Sequence, residues 1–314
     1  MKDTIIFFGT PPFAVKCLEA LVEKKFNIAA VVTAPDRPAG RGKKISTSAA
    51  KQYALSKGIL LLQPTNLKDP AFLKQLKDLQ PELMVVVAFR MLPKEVWSMP
   101  PKGTINLHAS LLPNYRGAAP IHWAVINREE KSGVSTFFIN EKIDTGDLLQ
   151  QESTTLTTDE TAGTLHDKLA IMGARLVCHT VRSIFDGNIK TQKQKLLGNE
   201  KLAPKLDKDN VFLDWSQSLE AIEAKIRGLS PYPGAKTLWQ EDHDCSIVKI
   251  LEAEIVKTVH DFKPKKVIVK DQKILIAHPS GFLNCTVLQF PNKKRMRALD
   301  ILNGSSFSSN LEVN

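Results

Sequence analysis

Short apolar runs alternate with helical patterns through the first half of this chain, and no other feature restricts its fold as much. Thr4–Phe8 reads as a buried strand. Gly9-Thr10-Pro11-Pro12 then turns into a helix over Phe13–Lys24, with Val15, Leu18 and Leu21/Val22 on one face. Ile28–Thr33 is a second strand, and Ala49–Lys57 is a helix stopped by Gly58. Ile59–Leu62 and Leu83–Ala88 are strands, separated by a helix near Pro70–Leu79. Thr104–His108 follows as a strand, Pro120–Asn127 as a helix and Gly133–Ile139 as a strand. A long helix over Thr161–Phe185 ends at Gly187. Alternation of this kind predicts an α/β fold with a Rossmann-like, doubly wound and mostly parallel sheet. Ligands of such sheets bind outside the carboxyl ends of the strands. The first turn lacks the second and third glycines of G-x-G-x-x-G, and no P-loop is present, which argues against a bound dinucleotide.

The pattern changes after Gly187. The expected organisation is a catalytic domain over residues 1–189, a polar Lys/Gln-rich linker over 190–207 and a C-terminal domain over 208–314. Ser218–Arg227 reads as one helix, ended by the rigid turn Ser230-Pro231-Tyr232-Pro233-Gly234. Short strands over Ala235–Trp239, Ser246–Ala253, Lys266–Val269, Ile274–Ala277 and Leu283–Leu288 predict a small OB-like β-barrel. A terminal helix is expected over Met296–Leu302, with a frayed Ser/Asn-rich tail after Gly304.

A formal charge of +10 and a pI near 9.3 suggest a polyanionic partner. Basic residues cluster in two parts of the chain that bear on this partner. Asp36–Ser48 carries Arg37, Arg41, Lys43 and Lys44 among Pro38, Gly40 and Gly42, which rules out a regular helix there. The C-terminal part adds Lys263/Lys265/Lys266 and Lys293-Lys294-Arg295-Arg297. Together they favour a nucleic-acid ligand, with the Gly- and Pro-punctured loop ordering on phosphates. Cys17, Cys178, Cys245 and Cys285 show no metal-ligand spacing and read as reduced thiols, so neither a metal nor a disulfide is expected. No N-terminal signal and no membrane-spanning run are visible, and a monomeric cytoplasmic protein is expected.

Asn106-Leu107-His108 closes the strand at the expected ligand edge. Alternate strand residues share a face, so an amide and an imidazole are presented together. Asp144 lies thirty-six residues after His108, in the turn-rich stretch Ile143-Asp144-Thr145-Gly146-Asp147. An amide and an imidazole aimed at one point can stabilise an oxyanion, and a carboxylate can fix the tautomer of the ring. Taken singly, the three residues would equally suit caps, turns or satisfied core polar groups. The intervening Ser110-Leu111-Leu112-Pro113-Asn114-Tyr115-Arg116-Gly117-Ala118-Ala119-Pro120 tips the balance. It is expected to expose apolar residues in a loop of the kind that carries binding functions.

These segments, with Asp144-Thr145-Gly146, resemble the signature of the 10-formyltetrahydrofolate-dependent formyltransferases. The similarity extends over the whole chain, from Phe8-Gly9-Thr10-Pro11 through Asp36–Lys44 to Lys294-Arg295-Met296 and Leu302-Asn303-Gly304. The resemblance implies transfer of a formyl group from 10-formyltetrahydrofolate to the α-amine of initiator methionyl-tRNA. It implies catalytic roles for Asn106, His108 and Asp144, and folate binding along Ser110, Leu111, Leu112 and Pro113 beside Val86–Leu92. It also implies tRNA contacts by Arg37, Arg41, Lys43 and Lys44. Two positions depart from the family pattern. Ala88-Phe89-Arg90-Met91-Leu92-Pro93 lacks the usual glycine after the aromatic residue, which leaves Arg90 to meet folate or face solvent. His122 stands where glutamine is common and reads as a helix-surface residue. The rival readings are a formyltransferase for a nucleotide sugar or glycinamide ribonucleotide, a formyltetrahydrofolate hydrolase, and a non-catalytic tRNA-binding protein. The basic segments argue against the first three, and the intact trio argues against the last.

Overall fold

The computed structural model describes residues 3–39, 44–241, 244–304 and 307–314. The first elements are β1 (Thr4–Gly9), α1 (Pro12–Glu23), β2 (Asn27–Val32), β3 (Arg37–Ala39), β4 (Lys44–Ser46), α2 (Ala49–Ser56) and β5 (Leu60–Leu62). Next come α3 (Pro70–Asp78), β6 (Leu83–Val87), α4 (Lys94–Trp97), β7 (Thr104–His108), β8 (Arg116–Gly117) and α5 (Pro120–Ile126). They are followed by β9 (Lys131–Phe138), β10 (Leu148–Thr155), α6 (Ala162–Phe185) and β11 (Leu202–Ala203). The remainder comprises α7 (Leu219–Leu229), β12 (Ala235–Glu241), β13 (Asp244–Val256), β14 (Val267–Lys270), β15 (Lys273–His278), β16 (Gly281–Gln289), β17 (Met296–Arg297), α8 (Ala298–Gly304) and β18 (Glu312–Val313).

Two compact units emerge. The first holds Met1–Pro120, Lys131–Thr155 and His166–Ala203; the second holds Ile121–Glu130, Leu156–Leu165 and Pro204–Asn314. In the first, the sheet order is β10-β9-β7-β6-β1-β2-β5. The five strands from β7 to β5 are parallel, and β9 and β10 are antiparallel additions at one edge. Ile6, Phe8, Ala30, Val32, Met84 and Val86 pack with Phe72 and Leu76 of α3 on one face. Leu107 points to the other face, where a side chain on Gly173 of α6 would collide with it. Gly9 cannot carry a Cβ, which would lie 2.6 Å from that of Ala14; the strand-to-helix turn depends on this close approach.

In the second unit the antiparallel order is β14-β15-β16-β13-β12-β18, with β17 on β16. Val267 N–H donates to Leu311 O at 3.0 Å and Val313 N–H to Lys265 O at 3.0 Å, bringing the last strand against the entry to β14. The sheet is therefore a nearly closed barrel, as expected, packed around Trp215, Ile222, Ile226, Trp239 and Ile250. Residues 307–314 correct the expectation of a frayed tail. Leu311 and Val313 are fully buried, and each contributes roughly 1.5–3 kcal/mol by leaving water. His122 is also not a plain surface residue: its Nδ1 lies 2.8 Å from Gly228 O of α7, within the same unit. No helix among the described residues is long and apolar enough to cross a membrane.

Candidate active site

β7 ends with Asn106 paired in register with Val86 and Phe137, and His108 paired with Ser135. Asn106 thus shares the α3 face of the sheet with Val86, and His108 follows on the same side. His108 is 7% exposed, with Nε2 2.7 Å from Tyr115 O. A carbonyl only accepts, so Nε2 carries a proton and Nδ1 is the nitrogen left for exchange. That nitrogen lies 3.8 Å from Asp144 Oδ2. The same oxygen accepts the Gly117 N–H at 2.9 Å, which aims the carboxylate at the ring. Asn106 is half-buried, and among the described residues its amide has no hydrogen-bond partner. Its two donors and one acceptor are not buried and are taken up by no protein group among the described residues.

Asp144 sits at φ +53°, a left-handed conformation that costs an ordinary residue about 1 kcal/mol or more. The turn around it is tightly specified. Asn140 Oδ1 accepts from Lys142 N–H and Thr145 Oγ1, both at 3.0 Å. A Cβ on Gly146 would fall 1.6 Å from Phe138 O, so only glycine allows this turn to close.

The Ser110–Pro113 segment departs from expectation in one respect. It is not an exposed apolar edge: Ser110 is 1% and Leu112 3% exposed. Leu112 packs with Phe137 and Leu148. Ser135 Oγ donates to Ser110 O at 2.6 Å, and Gln151 Nε2 donates to Leu112 O at 3.0 Å. These bonds from distant strands turn alternate residues of the loop inward. Leu111 and Pro113 are the half-buried members that remain accessible. Arg90 is exposed, which is the solvent-facing alternative, but it is not free. It donates to Pro64 O and to Thr65 O, at 2.5 and 2.8 Å, and so ties two loops at the strand ends. Burial, then the nearby Arg37, pulls its guanidinium below the usual range.

The basic segment begins as a short antiparallel hairpin, with Arg37 facing Ser46 across β3 and β4. Arg37 is exposed. Arg41 and Lys43 lie outside the described residues, and the Lys44 side chain is not described either. The base of the hairpin is anchored by Asp36, which takes Lys51 Nζ at 2.5 Å and Gln63 Nε2 at 3.0 Å. Lys51 first, then Gln63, holds the Asp36 carboxyl below the usual carboxylate range. In the second unit Lys293, Lys294 and Arg295 are exposed and unpaired among the described residues. Among those residues no cluster of His, Cys, Asp or Glu could hold a metal ion.

Comparison with known proteins places this arrangement. A formyl transferase domain model matches residues 1–181, and a formyl transferase C-terminal domain model matches residues 205–306. The methionyl-tRNA formyltransferase of Flavobacterium johnsoniae is 48% identical over 312 residues, covering 99% of each chain. That of Bacteroides fragilis is 45% identical over 308 residues, covering 96% of this chain and 94% of the relative. A solved N-formyltransferase from Helicobacter canadensis, in complex with folinic acid and dTDP-3-aminofucose, superposes with a TM-score of 0.67. It is 18% identical and covers 93% of this chain and 100% of that one. HypX from Aquifex aeolicus, in complex with tetrahydrofolic acid, gives 0.66 at 16% identity, over 96% of this chain and 47% of that one. At such identities the structures speak for the fold alone. The two domain matches and the near-full-length relatives go further, and by them the chain belongs to the formyl transferase family.

Proposed function

We propose that this chain transfers the formyl group of 10-formyltetrahydrofolate to the α-amine of initiator methionyl-tRNA, leaving tetrahydrofolate and N-formylmethionyl-tRNA. The observation that carries the reading is the unpartnered Asn106 amide beside the His108–Asp144 pair, toward the carboxyl end of β7, where the parallel strands meet antiparallel β9. The donor supplies an activated formyl carbon, which the amine attacks. Asn106 and the His108 ring, once Nδ1 has taken up a proton beside Asp144, hold the oxygen on which negative charge develops. Asp144 faces that proton, and the pair moves one proton from the attacking nitrogen to the departing folate nitrogen as the old carbon–nitrogen bond breaks. Incubation with 10-formyltetrahydrofolate and charged initiator tRNA, scored for formylmethionine, tests the assignment. Free tetrahydrofolate without formylated product would support a hydrolase instead.

The donor rests along Leu111 and Pro113, beside the segment 86–92, while Ser110 and Leu112 hold the loop's shape from within. A folate analogue should protect amides of both segments from hydrogen exchange; protection confined to the second unit would rule the placement out.

The basic segment that carries Arg37, Arg41, Lys43 and Lys44 approaches the acceptor end of the tRNA, and the C-terminal barrel holds further phosphates. Neutralising the four cations should lower formylation of initiator methionyl-tRNA more than that of elongator methionyl-tRNA. Folate affinity should be unchanged. The log–log salt slope of tRNA binding should become shallower by roughly one for each phosphate no longer neutralised. Equal reduction on both tRNAs would make the loop a general phosphate arm and remove its role in specificity.

A further inference from the structure

A circuit of hydrogen bonds surrounds Asp144 and runs through the segment whose composition suggested a linker. Gln194 Nε2 donates to Asp144 O at 2.9 Å and to Gly146 O at 2.8 Å, spending both of its protons on one turn. Gln194 Oε1 accepts from Arg116 Nε at 3.2 Å and from a second nitrogen of the same guanidinium. Two carbonyls on one side and a guanidinium on the other leave only one orientation for this amide. Arg116 is the neighbour of Gly117, whose N–H holds the Asp144 carboxylate. The circuit therefore closes: Gly117 to the Asp144 side chain, Asp144 backbone to Gln194, Gln194 to Arg116, and Arg116 back to Gly117. The strand context is fixed on both sides. Gln192 and Leu148 exchange a bridge with bonds of 2.8 and 2.9 Å, and β11 pairs with β8 in parallel.

We infer that Gln194 is a positioning residue for the transfer reaction, setting the direction in which Asp144 addresses His108. Asp144 is held in a left-handed conformation, and its carboxylate direction follows its backbone. Gly117 alone grips one oxygen and leaves the backbone free to rotate about it. The clamp on Asp144 O and Gly146 O removes that rotation. Thr145 and Asn140 secure the turn internally but connect it to neither β7 nor β8. Gln194 with Arg116 ties the backbone of the turn to β8, which otherwise holds only the carboxylate through Gly117.

The inference rests on the formyl-transfer reading, and a wild-type assay separates the two. If the wild type forms no formylmethionine, the reading fails first. Given an active wild type, Gln194→Leu should lower kcat by about 10- to 100-fold, the reduction that a misplaced catalytic group produces. KM for folate and for tRNA should be unchanged, with the melting temperature close to wild type. In an Asp144→Asn background the same Gln194→Leu change should cost almost nothing further, because the charge being aimed is gone. Gln194→Glu supplies an independent check. Its carboxylate keeps the Arg116 guanidinium, which holds it ionised, but has no proton to give either carbonyl. It should therefore lose kcat as Gln194→Leu does, with KM unchanged. Full additivity of Gln194→Leu with Asp144→Asn, an effect confined to KM, or wild-type kcat in Gln194→Glu would overturn the inference. If Gln194→Leu fails to fold, the kcat of Gln194→Glu decides alone.

Discussion

Asp144→Asn is expected to lower turnover by about 10²- to 10⁴-fold, the range over which positioned acid–base groups act. The substitution is chosen for what it preserves. Asparagine retains an oxygen for the Gly117 N–H, which Asp144 Oδ2 now accepts at 2.9 Å. It also tolerates the left-handed backbone better than most residues, so φ +53° imposes little new strain. What disappears is the negative charge 3.8 Å from His108 Nδ1. If that charge steadies a proton shared between His108 and the reacting nitrogens, kcat falls while folate and tRNA affinities hold. Single-turnover formylation measures the chemical step directly. Near wild-type turnover by Asp144→Asn would remove the carboxylate from the mechanism and leave the oxyanion donors alone responsible.

Much of the catalytic unit is legible in the sequence because its signals are local. β7 has the bounds that its apolar run predicts, Thr104–His108, and its alternation puts Asn106 and His108 on one side. α6 and the stop at Gly187, φ +71°, follow from amphipathic spacing and a glycine that accepts the left-handed conformation. What the sequence conceals is determined at long range. β10 carries no strand signal because Leu148–Thr155 is rich in Gln, Ser and Thr, and only its pairing with β9 makes it a strand. The inward turn of Ser110 and Leu112 depends on Ser135 and Gln151, which arrive from β9 and β10. The tail after Gly304 reads as polar by composition, yet Leu311 and Val313 alternate into the barrel. Gln194 is hidden most completely. It lies in a Lys/Gln-rich run that resembles a linker, and its significance comes from two carbonyls some fifty residues earlier in the chain.

Asn106→Ala should separate function from stability more cleanly than any other change at this site. An oxyanion donor of this kind is worth about 10²–10³ in rate, and the effect should fall on kcat because the oxygen's charge exists only as the bond forms. The fold should be indifferent. Truncating a hydrogen-bonded polar side chain usually strands its partner at a cost of roughly 1–3 kcal/mol. Among the described residues Asn106 has no such partner, so nothing is stranded. Its half-buried amide is a group that folding partly desolvates without compensation. The alanine variant should therefore melt at or slightly above the wild-type temperature while forming product hundreds of times more slowly. A fall in melting temperature that tracks the drop in activity would mean that Asn106 serves the structure. The oxyanion role would then pass to His108 and to whichever backbone amide a bound donor brings into reach.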